Sequence, residues 1–564
     1  MTGAGALGWA LGALAGLSLG AVPAPNDLEA KGRSGAVASA DPHASAAGIA
    51  VLKAGGNAMD AAVAVALVLA VTHPQAGNLG GGGFFVARMA DGRNYALDFR
   101  EKAPAGAQRD MFLRADGSVD EDRAQFGALA AGVPGSPMGL EVALAKLGTR
   151  PLAELARPAI RLAREGIEVD HFLAAALKAH EKVLGRYPAT RKVFFSGERV
   201  LTQGERLVQK DLAATLERFA QAGAKGFYEG ETARLLVAEM QRGGGILSAK
   251  DLQEYRAIER PVLVGRYRGF EVLTMPPPSS GGIALLQMLA LIEPYDVAGM
   301  GFGSSQGLHL RTEVMRRAFA DRARWLGDPD FYKVPVEGLL APSYLDRLRL
   351  GMRLDRRSEV EPGQPEGAPE GDHTTHFSVV DAAGNAVACT TTLNASFGCG
   401  LVADGTGVLL NNEMDDFSAK PGVPNQFGLV GGRANQIEPG KRMLSSMTPT
   451  ILLSEGKVRY VLGSPGGGRI INTVFQVVTN LVDHGMPLDL AVAAPRIHHQ
   501  WKPDQITWET LALSVDVRER LQDLGHRFAR TAVAIGQVSA IAVLKDGTRF
   551  AVQDPRSGGA AMAY

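Results

Sequence analysis

Residues 357–372 read RSEVEPGQPEGAPEGD, and residues 373–393 continue HTTHFSVVDAAGNAVACTTTL. The first stretch is acidic, rich in Pro and Gly, and almost free of large apolar side chains. It cannot bury a core and reads as a mobile linker. The second stretch changes period at once. Thr375–Asp381 alternates, Asp381–Asn385 is a turn around Gly384, and Asn385–Leu393 alternates again, which predicts two adjoining strands. The linker therefore delivers the chain into a sheet at Thr374.

A threonine hydroxyl is a weak nucleophile without a base beside it. Its own α-amino group would serve, since the free group titrates at about 7.7–8.0, but only if the bond between His373 and Thr374 is cut. The same hydroxyl can attack the His373 carbonyl, giving an ester that water opens. Taken alone, these residues are equally those of a linker followed by an ordinary strand, where Thr is common.

Working outward, Ala46–Ala54 and Ala58–Val71 predict buried helices, and Gly80–Gly83 is a turn feeding a strand at Phe84–Val86. Asn94–Arg100 predicts another strand. Amphipathic helices dominate from about 130 to 325, for example Leu140–Leu147 and Leu308–Trp325, and a Pro-Ser-Gly turn opens a helix at Ile283. After the linker, Leu401–Leu410 and Thr450–Leu462 predict strands, and Ile470–His484 a helix. The chain is thus a helix-rich first two-thirds and a strand-rich last third.

Composition removes several function classes. Lys and Arg total 59 against 59 Asp and Glu, so there is no basic excess for a nucleic acid. Two cysteines, Cys389 and Cys399, exclude a disulfide framework and a Cys-rich zinc site; they are one bond or two buried apolar residues. Leu7–Val22 is apolar and ends in small residues, which predicts an export signal over 1–25, although no Lys or Arg precedes it. No later apolar run is long enough to span a membrane.

Several polar clusters could carry chemistry. Gly463-Ser464-Pro465-Gly466-Gly467-Gly468-Arg469 lies between a strand and a helix, where backbone N–H groups can hold an oxyanion. It lacks the ending of a phosphate loop and the spacing of a nucleophile elbow. Asn411–Phe417, NNEMDDF, offers carboxylates for an ammonium group, and Ser445-Ser446 offers hydroxyls for a carboxylate. Arg100 could take a carboxylate bidentately, or simply pair with Glu101 or Asp98. His498-His499 point to opposite faces if they lie on a strand, and read as packing or hydrogen-bonding residues.

Together the segments THPQAGNLGGGGFF (72–85), LDFREKAP (97–104), RRAFADRARWLGDPDF (316–331), DHTTHFSVVD (372–381), TTLNASFG (391–398), LLNNEMDDFSAKPGVPN (409–425), RMLSSMTPT (442–450) and GSPGGGRI (463–470) resemble the γ-glutamyltranspeptidase family. The resemblance runs from about Gly35 to Tyr564. It implies an α/β fold, the N-terminal-nucleophile hydrolase αββα sandwich, made as a precursor and cut between His373 and Thr374 into a large subunit (26–373) and a small subunit (374–564) that stay together as a heterodimer. It implies Thr374 as nucleophile, Thr392 as its positioning partner, and Gly466 and Gly467 as the oxyanion hole. Arg100, Ser445 and Ser446 would hold the substrate α-carboxylate; Asn394, Glu413 and Asp416 would hold its α-amino group. Pro421–Phe427 would be a lid, with Phe427 where some members have Tyr. Glutathione and other γ-glutamyl compounds are the implied substrates, amino acids or dipeptides the acceptors, and no metal or organic cofactor is needed. An exported protein, periplasmic or extracellular, is expected. A cephalosporin or glutaryl acylase shares the fold and nucleophile. A solute-binding protein would share the export signal and the polar pocket, but not the threonine behind a linker.

Overall fold

The alternation in Thr375–Val380 and Ala386–Thr392 is realised as an antiparallel hairpin, with Thr375 opposite Thr391 and Val380 opposite Ala386. The structure, a computed structural model, describes residues 28–360, 374–420 and 422–564. The expected export signal, most of the acidic linker and His373 lie outside the described residues.

The strands that matter are β1 (Glu29–Gly32), β2 (Ala36–Ser39), β3 (Gly82–Arg88), β4 (Asn94–Asp98), β5 (Ile258–Arg260), β6 (Leu263–Tyr267), β7 (Phe270–Thr274), β8 (Thr375–Val380), β9 (Ala386–Thr392), β10 (Thr450–Ser454), β11 (Lys457–Gly463), β12 (Ser539–Val543), β13 (Arg549–Gln553) and β14 (Ala560–Ala563). They form two seven-stranded sheets, ordered β1-β13-β12-β11-β10-β7-β6 and β14-β2-β8-β9-β3-β4-β5. Every named pairing in the two sheets is antiparallel.

Because successive side chains on a strand face opposite ways, each strand of the second sheet serves two cores. Phe85, Ala87, Val37 and Val387 pack with helices α1 (Pro42–Lys53) and α2 (Ala58–Thr72). Phe84, Val86, Ala36 and Ala388 join the other core, with the first sheet and helices α3 (Gly281–Ile292), α4 (Ser305–Trp325) and α5 (Arg469–Val482). A polar ring is buried among these apolar side chains. The buried His376 ring meets Thr390 Oγ1 at 2.8 Å and lies where a Cβ on Gly463 would come within 2.4 Å of it. Burial pushes the His376 pKa down to about 3.

Helices flanking two packed sheets match the expected αββα sandwich. The division into a helix-rich and a strand-rich part holds less well, since β1–β7 all precede the linker. Both sheets are therefore composite: in each, strands from before residue 360 flank strands from after 374. Three further expectations are corrected. Thr450–Leu462 is a hairpin, turning at Glu455-Gly456, both with positive φ. Leu401–Leu410 breaks into Val402–Ala403 and Val408–Leu409 around Gly405 and Gly407, which also take positive φ. The start of the linker is fastened down. Ser358 O accepts from Arg316 Nη1 at 2.7 Å, Arg357 Nη2 pairs with Asp504, and Val360 O accepts from the Trp501 indole at 3.1 Å. Cys389 and Cys399 are free and buried.

Candidate active site

Thr374 sits at the head of β8, in the middle of the second sheet, and is 9% exposed. The neighbouring strand β9 ends in Thr391-Thr392, and two devices hold that end in place. Asn78 Nδ2 donates to Thr392 O at 2.8 Å, while its Oδ1 accepts from Gly81 N and Ser136 Oγ. The backbones approach so closely that a Cβ on Gly81 would fall 2.0 Å from Thr392 O, which gives the glycine run after Asn78 its reason. Past β9 the chain reverses through Asn394 at φ 75°, a conformation asparagine tolerates. Its N–H donates to Thr392 Oγ1 at 2.8 Å and its Nδ2 to Asn412 O at 3.0 Å.

Arg100 leaves the end of β4 and is buried, with Tyr255 Oη donating to its carbonyl at 2.8 Å. Its guanidinium meets three carboxylates: Glu413 at 2.7 Å, Asp416 at 2.6 Å and Glu101 at 3.5 Å. Burial opposes its charge, but the three anions outweigh burial and raise its pKa. For the anions the balance is reversed. Burial raises Glu101, Glu413 and Asp416, with Arg100 pulling each back. Among the described residues neither oxygen of Glu101 and neither of Glu413 has a hydrogen-bond partner, so the 2.7 Å contact of Glu413 with Arg100 is an ion pair of poor angular geometry. Asp98, the other suggested partner of Arg100, is taken by Arg260 and Arg442.

Ser445 and Ser446 are placed by α3. Ser280, at the start of that helix, grips the Ser445 carbonyl through its N–H (2.8 Å) and its hydroxyl (2.6 Å). On the far side, the turn Ser464–Gly468 leads into α5. Gly466 and Gly467 have φ of 132° and 51°. Among the described residues their N–H groups donate to no protein acceptor.

One small, tightly filled pocket gathers these groups. Thr374, Thr392 and Gly467 line it beside Arg100, Asn394, Glu413, Asp416, Ser445 and Ser446. Gly466 is the next residue in the chain, behind Gly467. Phe427, the last residue of the expected lid, and Leu429 just beyond it also line the pocket. A second cavity reaches Thr374 from another side, past Asp41, His73 and Gln75. Two residues went unassigned in the sequence. Glu101 is a third carboxylate on Arg100, and Arg322 donates to Ser446 Oγ at 3.0 Å. Both lie in stretches that carry the resemblance, LDFREKAP and RRAFADRARW; pairing of Glu101 with Arg100 is the alternative the sequence offers and is observed, whereas nothing in the second stretch reveals what Arg322 faces. His498 and His499 lie apart from the cavity, bonded to Asn472 and Gln500 and to Asp504.

Two packed sheets with a threonine at the head of a central strand are the architecture of an N-terminal-nucleophile hydrolase. A cephalosporin acylase from Bacillus halodurans has a similar structure, with a TM-score of 0.85, 27% identity, and coverage of 98% of this chain and 99% of that one. The Helicobacter pylori γ-glutamyltranspeptidase is similar over 58% of this chain and 94% of its own, at 44% identity and a TM-score of 0.57. The glutathione hydrolase proenzyme of Escherichia coli (strain K12) is 47% identical over 532 residues, 93% of this chain and 91% of that protein. The sequence profile of γ-glutamyltranspeptidases matches residues 44–564, and the chain belongs to that family.

Proposed function

We propose that the protein is an exported precursor that cuts itself between His373 and Thr374 and then cleaves γ-glutamyl amides, glutathione among them, acting as hydrolase and γ-glutamyltransferase. The observation that carries this reading is the convergence in one cavity of Thr374, a cation with two hydroxyls, and carboxylates. An amino-acid head group bears both charges, and an analogue lacking either leaves buried groups unpaired.

In maturation, Thr374 Oγ attacks the His373 carbonyl carbon. The acyl group shifts from nitrogen to oxygen, and water hydrolyses the ester, leaving a carboxylate on His373 and a free amine on Thr374. In turnover, Thr374 Oγ attacks the substrate γ-carbonyl and its proton passes to the freed α-amino group. Gly466 and Gly467 N–H groups hold the oxyanion. Thr392 positions the nucleophile. The C–N bond breaks, the amine leaves with that proton, and a γ-glutamyl ester of Thr374 remains. Water then releases glutamate, or the amine of an amino acid or dipeptide takes the acyl group and gives up a proton as the threonine hydroxyl is restored. Arg100, Ser445 and Ser446 hold the α-carboxylate; Asn394, Glu413 and Asp416 hold the ammonium. The second cavity beside Thr374 gives the leaving and incoming amines their path. No step requires a metal or organic cofactor.

The large subunit is 26–373 and the small subunit 374–564, with residues 1–25 removed as a signal on the way to the periplasm or the medium. Among the described residues no helix is long and apolar enough to cross a membrane. The composite sheets support a heterodimer that stays together after the cut. An acylase of similar structure exists, but Glu413 and Asp416 favour a substrate with an ammonium group. Assaying a γ-glutamyl anilide against a glutaryl anilide tests the point: the γ-glutamyl compound should be preferred by at least tenfold, and equal turnover would overturn the reading.

A further inference from the structure

Arg322 lies near the C-terminal end of α4, 5% exposed, and the mechanism above does not use it. Arg100, Arg316 and Arg496 are each met by a carboxylate. Arg322 makes no ion pair among the described residues; its partners are two hydroxyls, Ser280 at 2.9 Å from Nε and Ser446 at 3.0 Å from Nη2. Desolvation lowers its pKa to about 10, with Asp416 opposing that shift and Arg100 adding to it, so it is charged at neutral pH. A buried guanidinium with no anion is costly. This one stands directly behind a hydroxyl that lines the cavity.

The two bonds have different consequences. Ser280 accepts from Arg322 and donates its own proton to the carbonyl of Ser445 at 2.6 Å. The guanidinium thereby fixes the backbone that presents both serines. Ser446 accepts from Arg322, so its own proton is left to donate elsewhere. Arg100, the other cation at the cavity, is already surrounded by Glu101, Glu413 and Asp416. Behind Ser446 there sits a guanidinium held by hydroxyls alone, with Asp416 acting on it through its field and not through an ion pair.

We infer that Arg322 is a positioning and specificity residue for the substrate α-carboxylate, orienting the Ser446 hydroxyl, fixing Ser445 through Ser280, and placing a positive charge directly behind that hydroxyl. The inference rests on the γ-glutamyl reading above.

The test compares two competitive ligands that differ only in the α-carboxylate, glutamate and 4-aminobutanoate, displacing a γ-glutamyl anilide from the mature enzyme. In the parent protein glutamate should bind more tightly; equal binding there would count against the γ-glutamyl reading itself. In Arg322→Gln, glutamate should weaken by roughly tenfold or more, while 4-aminobutanoate changes by less than about twofold. Arg322→Lys should restore part of the glutamate advantage. If Arg322→Gln stays uncut, Ser280→Ala, which keeps the guanidinium and removes one of its two links, should give the same selective loss at smaller size. Equal losses for both ligands, or no loss for either, would overturn the inference.

Discussion

Two clusters of buried charge in this molecule use the same residue types and are satisfied to different degrees. Beneath the end of the first chain segment, Glu313 places one oxygen on Arg316 and the other on Arg317, each at 2.8 Å. Asp504 serves Arg316, Arg357 and His499. His309 bridges His526 at 2.7 Å and the Arg353 carbonyl at 2.6 Å. His309, Glu313 and His526 lie close enough to suggest a metal site, but the carboxylate already holds two guanidinium groups. At the cavity the ratio is inverted: one arginine faces three carboxylates, and four of their oxygens lack a protein hydrogen bond. The anchor, in which among the described residues Arg316 Nε alone of the buried carboxylate and guanidinium atoms is left without a hydrogen bond, fastens chain to chain. An unsaturated cluster keeps capacity for a ligand, and an ammonium group is what three carboxylates leave room for.

The comparison breaks if substitutions in the two clusters act alike. The largest effect is expected where the cavity meets the nucleophile: Thr374→Ala should remain one uncut chain on a denaturing gel, with anilide hydrolysis at background. Cutting at the same bond in that variant would sink the assignment. Next, Arg100→Met strips the cation from three buried carboxylates. It should lower kcat/KM by a factor of about 100 or more, about 2.7 kcal/mol of transition-state stabilisation, and separately destabilise the fold by about 3–5 kcal/mol, the cost of removing one partner of a buried pair. The anchor should behave in the opposite sense. Glu313→Gln should lose about 2–4 kcal/mol of stability in thermal unfolding, with kcat/KM of the mature enzyme within about threefold of the parent.

A smaller effect separates the clusters by pH. Burial lowers the pKa of His526 to about 3, and lowers that of His499, against about 6.5 in the unfolded chain. A depressed histidine pKa means that the unfolded state binds the proton first. The anchor's contribution is full above about 6.5 and is lost as pH falls toward 3. His526→Gln should flatten the fall of melting temperature across that window. The cavity carboxylates are shifted upward, so they favour the folded state at low pH and weaken it as pH rises. The smallest effect is expected for Glu413→Gln, which removes one of the competing anions yet keeps an acceptor. KM should rise only a few-fold and stability should hold or increase; a loss as large as that of Arg100→Met would mean that Glu413 is structural.

Local chemistry was legible in the sequence where a motif carries its own geometry. The hairpin after Thr374, the glycine turn at 463–468 and the polar run at 411–417 all declare themselves by period or by residue type. What failed to show were features set by partners distant in sequence. Arg322 looks like an ordinary charged residue until the fold brings Ser446 against it, and the Arg100-Glu101 pair does not show that Glu413 and Asp416 share the same guanidinium. The strands β5–β7 are interrupted by Arg, Glu and Gly because they lie at or near the sheet edges and are partly exposed. The β10–β11 hairpin passes for one strand in the sequence because its turn, Glu455-Gly456, is only two residues long and both flanks are rich in apolar residues.

The composite sheets carry a last consequence. While the chain is whole, its unfolding is a one-molecule event that dilution leaves unchanged. If the chain is cut before Thr374 as proposed, β8–β14 belong to one polypeptide and β1–β7 to another, so unfolding becomes dissociation. Each fragment then exposes strand edges that its counterpart had covered, and recombination must compete with aggregation. The mature form is held by the height of its unfolding barrier more than by any equilibrium it can return to. Maturation is in that sense a one-way ratchet: the sheets must assemble before the cut, because the cut chains have no simple route back to them.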